Sequence, residues 1–355
     1  MQTEDIRGML DLMVQGAFCV KDRIITHINQ AARARLIPEG SCITELLLTG
    51  SEEYGEFTQG CLYLTLSLDG HAWGASVTKF NEYDIFVLEQ DADQAELQAM
   101  ALAARELREP LSSIMTIADN LFPMTEQTAD PELRRQVAQI NRGLFQMLRV
   151  IGNMSDAARY ASETATRQEV RDVTALMEEL FSKAGELIRH GGLSLTYSGP
   201  QVSVYCPVDT EKLERAVYNI LSNAMKFTPK GGTIDARLVL HGSKLRLSIQ
   251  DSGSGITQEL RGSIHSRYMR HPGLEDGRFG IGLGMVLIRS TASAHGGTVL
   301  IDHPQDAGTR ITMTLDVRRS TGTVLRSGLL RVDYAGERDH GLIELADVLP
   351  AEVYD

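Results

Sequence analysis

The segment N-I-L-S-N-A-M-K-F, residues 219–227, places three polar side chains at spacings of four and three residues. Asn219, Asn223 and Lys226 therefore share one face of a helix, because residues three and four apart are neighbours on a helix surface. Asparagine is a poor helix former, so two of them in mid-helix need an explanation. Either this face is simply solvated, or the amide oxygens are hard ligands for Mg²⁺ and the lysine neutralises phosphate charge.

A second polar cluster, Asp251-Ser-Gly253-Ser-Gly255, follows the apolar segment L-R-L-S-I-Q, residues 245–250, which predicts a strand. An acid that leaves a strand into glycines is often only a turn former. As a binding group, the Asp251 carboxylate would accept a hydrogen bond from the exocyclic amine of adenine. The glycines would let the base approach the backbone closely.

A third cluster, G-I-G-L-G at residues 280–284, leads directly into a predicted helix. Such a stretch alone is often only a loop. Before a helix, however, its free backbone N–H groups and the positive end of the helix dipole suit a polyphosphate. No strand directly precedes it and no G-K-[ST] follows, so it is neither a dinucleotide-binding nor a P-loop motif.

In this order, the three clusters resemble the N, G1 and G2 boxes of the ATP-binding domain shared by sensor histidine kinases, gyrase and mismatch-repair ATPases. The resemblance extends into H-G-G-T-V-L-I and A-G-T-R-I-T-M-T-L, residues 295–301 and 307–315. It implies an α/β sandwich over residues 166–318 that binds ATP. Asn219 and Asn223 would hold Mg²⁺ through the nucleotide, Lys226 would contact phosphate and Asp251 would bind adenine. The remaining residues implied in nucleotide binding are Gly253, Gly255, Gly280, Gly282, Gly284 and Thr309.

Residues 91–165 predict an antiparallel helical hairpin. Two apolar stripes recur there at steps of three and four residues, which marks one face of each helix. A bare hairpin buries each stripe on one side only, so dimerisation into a four-helix bundle is expected, with docking on a neighbouring domain as the alternative. The stripes are Leu97, Ala101, Ala104, Leu107, Leu111, Ile114, Ala118 and Leu121, then Leu133, Val137, Ile140, Leu144, Met147, Ile151, Met154 and Ala158.

The segment R-E-L-R-E-P-L, residues 105–111, is similar to the histidine kinase H box, H-E-L-R-x-P-L, but Arg105 stands at the position of the phosphoacceptor histidine. A guanidinium is protonated and delocalised, so it is a very poor acceptor. The simplest role of Arg105 is an ion pair with Glu109 on the next turn. Glu106 occupies the position of the family's base, Ser112 is an alternative acceptor, and Pro110 is expected to kink the helix.

The first 90 residues are similar to a PAS sensor module, in which Asn29 follows a strand and is expected to cap a helix. Residues 319–355 lie outside the resemblance. They predict a hairpin over 323–336 and a short helix over 341–350.

Composition narrows the functional classes. The chain has 355 residues and a net charge of −12, so it is a poor general binder of nucleic acid. No apolar stretch reaches the length of a membrane span, and the N-terminus lacks the features of a secretion signal. Four widely spaced cysteines are expected to be reduced thiols in a cytoplasm.

The sequence thus predicts a multidomain α+β protein with units at 1–90, 91–165, 166–318 and 319–355. The resemblance implies a homodimeric, cytoplasmic member of the sensor histidine kinase family that binds ATP and Mg²⁺ and signals through a response regulator. Self-phosphorylation is doubtful because Arg105 replaces the acceptor. Two alternatives stay open: a pseudokinase or scaffold that uses ATP as a conformational ligand, and a kinase that acts on a separate protein.

Overall fold

The computed structural model describes residues 3–35, 37–89, 92–126, 130–162, 168–255, 283–304, 308–317 and 338–354. Within these ranges the chain is a mixed α/β protein with one large sheet, two long helices and a helical layer, as the sequence predicts. No helix in the described part of the chain is long and apolar enough to cross a membrane.

The N-terminal module is an antiparallel sheet flanked by short helices. Asn29 links the first strand of this module to its second helix, because its Oδ1 accepts hydrogen bonds from the backbone N–H groups of Ala32 at 2.9 Å and Ala17 at 3.0 Å. The first of these bonds makes Asn29 the cap that the sequence predicts. The strands are β1 (Ala17–Lys21), β2 (Ile24–Ile28), β3 (Cys61–Leu68), β4 (His71–Phe80) and β5 (Tyr83–Leu88), and the helices are α1 (Thr3–Asp11), α2 (Gln30–Arg33) and α3 (Ser51–Glu56), with a 3-10 turn at Ile43–Glu45.

Two long helices, α4 (Ala92–Glu126) and α5 (Pro131–Ser162), pack along each other as a hairpin. Helix α4 continues through Pro110 without a break. The predicted stripe is only partly right: Leu107 and Ile114 are about half exposed, at 47% and 49%. The stripe residues Ala104, Leu111, Ala118, Leu144 and Ile151 are buried as predicted. The hairpin also buries Met115, Ala138, Phe145 and Leu148, which lie outside the predicted stripes.

The unit after the hairpin packs three helices against one face of a sheet. Strand β10 alternates strictly between buried and half-buried residues, which is the pattern of a sheet with one face in the core. Its elements are β6 (Glu169–Asp172), α6 (Val173–His190), β7 (Ser194–Ser198), β8 (Tyr205–Val208), α7 (Thr210–Phe227), β9 (Thr233–His241), β10 (Lys244–Asp251), α8 (Leu283–Ala294), β11 (Val299–Asp302) and β12 (Arg310–Asp316).

The N-terminal module and this unit share one ten-stranded sheet, in the order β2-β1-β5-β4-β3-β11-β12-β10-β9-β7. Strands β3 and β11 join the two halves as antiparallel partners, with Leu62 opposite Leu300 and Tyr63 opposite Val299. The sequence predicts two separate units and does not predict this pairing.

Side chains reinforce the junction between the two halves. The Glu53 carboxylate of α3 accepts hydrogen bonds from Lys244 Nζ at 2.7 Å and from Thr314 Oγ1 at 2.9 Å. Burial acts to raise the pKa of Glu53, but its hydrogen bonds and the Lys244 charge together lower it below the ordinary 4.5. Glu53 therefore stabilises the fold above pH 4.5, and this contribution is lost as the pH falls through its lowered pKa.

We expect Glu53→Gln to lower the free energy of unfolding at pH 7 by about 1–2 kcal/mol, because it removes a charged, mostly buried hydrogen-bond partner. The difference from wild type should shrink as the pH falls below 4.5. Urea unfolding of both proteins at several pH values measures it, and a difference that is constant with pH would contradict this account.

The C-terminal segment, residues 338–354, contains helix α9 (His340–Glu344) and a 3-10 turn at Ala351–Tyr354. The predicted helix over 341–350 is thus shorter than expected and begins one residue earlier. Asp339 caps it by accepting a hydrogen bond from the Leu342 N–H at 3.1 Å. Ile343, Leu345 and Leu349 are fully buried, so the segment is part of the core. The predicted hairpin over 323–336 lies outside the described residues.

Candidate functional site

Helix α7 carries the first predicted cluster and is buried along most of its length. Asp209 starts it, accepting a hydrogen bond from the Lys212 N–H at 3.2 Å. Asn219 is 2% exposed; its Nδ2 donates to the Arg215 carbonyl at 2.8 Å, and its Oδ1 lies 3.5 Å from Arg149 Nη2 of helix α5. Asn223 is half-buried, and its amide forms no hydrogen bond within the described residues. The two asparagines therefore differ: one is engaged by the protein and the other can take a ligand.

Lys226 lies at the end of α7, with its side chain largely buried. Burial lowers the pKa of its ammonium, the nearby Arg149 charge lowers it further, and Asp347 opposes both. The Asp347 carboxylate of the C-terminal segment accepts a hydrogen bond from Lys226 Nζ at 3.1 Å. A partly desolvated ammonium attracts an anion strongly, because water screens it poorly.

Asp251 ends strand β10 and is 6% exposed. Its Oδ1 accepts two backbone hydrogen bonds, from the Gly253 N–H at 2.8 Å and from the Thr309 N–H at 3.2 Å. Burial raises the pKa of this carboxyl, and these two N–H groups work against the rise. Both donors reach the same oxygen, so the carboxylate is held in one orientation.

At two positions near Asp251 the backbone is packed too closely for any residue with a Cβ atom. A Cβ on Gly253 would overlap the Phe227 carbonyl of α7, and one on Gly308 would overlap the main-chain carbonyl of Asp251. Gly308 and Gly255 also have φ of +85° and +71°, which favours glycine. These close approaches bring the end of β10, the start of β12 and the end of α7 together.

The third predicted cluster is described only in part. Gly284 lies in the first turn of α8, where a Cβ would come within 2.7 Å of Asn219 Oδ1. The start of α8 therefore lies directly against the asparagine face of α7. Gly280 and Gly282 lie outside the described residues.

Several polar residues of the predicted H box lie on the exposed side of α4. Arg105, Glu106 and Glu109 are all exposed, and none of their side chains forms an ion pair or hydrogen bond within the described residues. The expected pair between Arg105 and Glu109 is therefore not formed. The Glu109 carbonyl accepts a hydrogen bond from Ser113 Oγ at 3.1 Å. Ser112 is also exposed, and its carbonyl accepts a hydrogen bond from Thr116 Oγ1 at 2.9 Å.

Sequence reasoning missed Arg149 and Asp347, which both contact Lys226 or Asn219. Arg149 lies two residues after Met147 of the predicted stripe, and no motif includes it. Asp347 is far along the chain in a segment without a motif. Neither carries a local signal, because only the tertiary fold brings them to α7.

Comparisons with known proteins identify the domain that carries the three predicted clusters. Residues 208–319 match the family of histidine kinase-, DNA gyrase B- and HSP90-like ATPases. The fold and the site therefore define an ATPase domain of that class.

Relatives extend the match beyond this domain. Histidine kinase P4 of Formosa agariphila is 23% identical over 65% of this chain and 17% of its own length. The adaptive-response sensory kinase SasA of Microcystis aeruginosa is 29% identical over 62% of this chain and 59% of its own. The chain thus spans less than two thirds of these relatives. Over this part the chain is similar to sensor histidine kinases.

Among solved structures, full-length ShkA in complex with AMPPNP has a similar fold, with a TM-score of 0.50 and 19% identity. The likeness covers 63% of this chain and 47% of ShkA.

Proposed function

We propose that this protein is a PAS-linked member of the sensor histidine kinase family that binds Mg-ATP and lacks its own phosphoacceptor. The observation that carries the proposal is the close approach of the three elements that bear Asp251, Asn223 and Lys226, and the start of α8. A Cβ on Gly253, after β10, would overlap the Phe227 carbonyl at the end of α7. One on Gly284, in α8, would come within 2.7 Å of Asn219 Oδ1. The solved complex of ShkA with AMPPNP, an ATP analogue, supports the same ligand class.

Each group at the site has a suitable chemistry for this ligand. Asp251 would accept a hydrogen bond from the adenine amine, and Gly253, Gly255, Gly308 and Thr309 would keep the backbone close to the base. Lys226 and the start of α8, with Gly280, Gly282 and Gly284, would bind the phosphates. Asn223, with Asn219 beside it, supplies the amide oxygen that suits Mg²⁺, which would neutralise phosphate charge when bound.

Loss of the acceptor follows from the chemistry of residue 105. A neutral imidazole nitrogen is nucleophilic near pH 7, whereas the guanidinium of Arg105 stays protonated. None of the nine histidines lies between residues 91 and 165, so a neighbouring turn offers no replacement. Glu106 keeps the position of the family's base without the imidazole that it would orient.

Exposed apolar side chains on the hairpin support a homodimer through residues 91–165. Leu107, Ile114 and Ile117 of α4 and Ile140 and Met147 of α5 are 46–60% exposed. Their burial in a four-helix bundle would complete both predicted stripes.

Incubation with γ-labelled ATP tests the loss of the acceptor. We expect the wild-type protein to take up no acid-labile, base-stable label, the signature of phosphohistidine. A matched sample of Arg105→His is the control for this readout. Base-stable label on wild type would contradict the proposal.

A scaffold that uses ATP only as a conformational ligand is the second candidate, favoured by the contact of Asp347 with Lys226. A kinase acting on a separate protein is the third. ATP turnover with and without candidate receiver domains separates them, because a scaffold binds without turnover and a kinase labels its partner.

A further inference from the structure

The C-terminal segment is fastened between the hairpin and the ATPase domain. Arg142 Nε of α5 donates to the Ala346 carbonyl at 3.1 Å, and Asn141 Nδ2 donates to the Tyr354 carbonyl at 2.8 Å. The Tyr354 ring stacks edge-on against Phe145, with 5.1 Å between ring centroids. These contacts fix the position of Asp347 relative to α5.

One carboxylate oxygen of Asp347 joins two cations from different parts of the fold. Its Oδ2 lies 2.5 Å from Arg149 Nη1 of the hairpin and 3.1 Å from Lys226 Nζ of the ATPase domain. The side chain of Arg149 is 5% exposed and that of Lys226 is 12% exposed, whereas Asp347 is 31% exposed. Two largely buried cations thus share one half-buried carboxylate oxygen. Arg149 Nε also lies 3.6 Å from Oε2 of Glu344, a buried acid of the same segment.

This arrangement is that of an anion site. An arginine and a lysine that converge on one oxygen suit a phosphate at least as well as a carboxylate, because phosphate carries more charge and more acceptor oxygens. Arg149 Nη2 also lies 3.5 Å from Asn219 Oδ1, so the site is continuous with the asparagine face of α7. A phosphate and the Asp347 carboxylate cannot occupy it together.

We propose that Arg149 and Lys226 form a phosphate site for the nucleotide and that Asp347 occupies it as a built-in competitor. The proposal rests on ATP binding by the ATPase domain, as argued above. It adds Arg149, a hairpin residue, to the nucleotide contacts and makes the C-terminal segment an autoinhibitory element.

The size of the effect follows from intramolecular competition. If ATP binds only when Asp347 has left the site, its apparent affinity is its intrinsic affinity multiplied by the fraction of the protein in which the site is vacant. A competitor on the same chain has an effective concentration in the millimolar range for a short connection. If Asp347 occupies the site about nine-tenths of the time, its removal strengthens ATP binding about tenfold.

Calorimetry with Mg-ATP and with adenosine tests the proposal on wild type, Asp347→Asn and Glu352→Gln. The last variant removes one charge from an exposed position of the same segment. We expect Asp347→Asn to bind ATP about tenfold more tightly. Glu352→Gln should match wild type, and adenosine, which has no phosphate, should bind all three proteins equally.

Three results would overturn the proposal. Equal ATP affinity of wild type and Asp347→Asn would show that the carboxylate does not compete, while leaving ATP binding itself intact. An equal gain for adenosine would mean that the variant merely loosens the protein. Absence of ATP binding in every protein would refute this proposal together with the proposed function.

Arg149 is tested in the Asp347→Asn background, where no competitor masks it. Arg149→Met should weaken ATP binding about tenfold, the scale of one charged hydrogen bond, and leave adenosine binding unchanged. Equal ATP affinity with and without Arg149 would refute its role.

Hydrogen exchange on the wild-type chain gives a test without substitutions. Mg-ATP, but not adenosine, should speed exchange of the backbone amides at 342–349, because phosphate displaces Asp347 and loosens its segment. Unchanged exchange at saturating ATP would contradict the proposal.

Discussion

Asp251→Asn is expected to weaken binding of Mg-ATP about 10- to 100-fold, measured by calorimetry at pH 7. The ionised carboxylate would accept a hydrogen bond from the adenine amine, and a hydrogen bond to a charged group contributes about 1.5–3 kcal/mol. An asparagine keeps one acceptor oxygen for the Gly253 and Thr309 amides. Its own NH₂ group then faces the adenine amine, so one donor meets another.

The fold should tolerate this change. Burial raises the pKa of Asp251, which means that the folded protein disfavours the charged form. Its contribution to stability is therefore fully present below its unfolded pKa and is lost as the pH rises through the raised one. At neutral pH the uncharged asparagine avoids that penalty.

Two observations complete the test. On acidification, the ATP affinity of wild type should begin to fall at a pH above 3.8, the ordinary pKa of an aspartate. The reason is that the raised pKa of Asp251 lets its carboxyl group take up a proton at a higher pH. Asp235→Asn, at an exposed position on the neighbouring strand β9, is the matched control and should bind as wild type does. Equal ATP affinity of Asp251→Asn and wild type would refute the adenine site.

Arg215→Met is expected to lower the free energy of unfolding by about 3–5 kcal/mol, the cost of breaking a buried ion pair by removing one partner. Arg215 is 1% exposed and joins three parts of the chain. Its Nε donates to Glu344 Oε1 of α9 at 3.0 Å, its Nη2 donates to Asn153 Oδ1 of α5 at 2.9 Å, and Nη1 pairs with Asp156. The substitution would leave buried carboxylates without this cation.

Urea unfolding measures this effect. Arg135→Met serves as the control, because Arg135 forms a solvent-exposed pair with Glu132 on the same hairpin. Such exposed pairs add little to stability, so the control should unfold as wild type does. Similar stability of Arg215→Met and wild type would refute a structural role for this network.

The class of fold and the ATPase domain were predictable from the sequence because their signals are local. Two patterns are each visible within a few residues: the spacing of Asn219, Asn223 and Lys226, and the glycines after Asp251. The comparisons confirm the ATPase domain over residues 208–319 and show a likeness to sensor histidine kinases. The unit boundaries and the roles of the individual residues stay predictions.

The features that the sequence could not predict are contacts between residues that lie far apart along the chain. The pairing of β3 with β11 joins residues over two hundred positions apart, and an edge strand carries no mark of its partner. The same holds for Asp347, whose partners Arg149 and Lys226 lie on two other elements. Heptad spacing also did not reveal which apolar residues face the neighbouring helix, as the exposure of Leu107 and Ile114 shows.

The shared sheet has a consequence for work with fragments of this protein. Strand β3 would be the bare edge of an excised N-terminal module, and β11 the bare edge of an excised ATPase domain. Unpaired edges of this kind recruit other chains and cause aggregation. Preparations that cut between the two halves should therefore self-associate, whereas the uncut polypeptide seals both edges against each other.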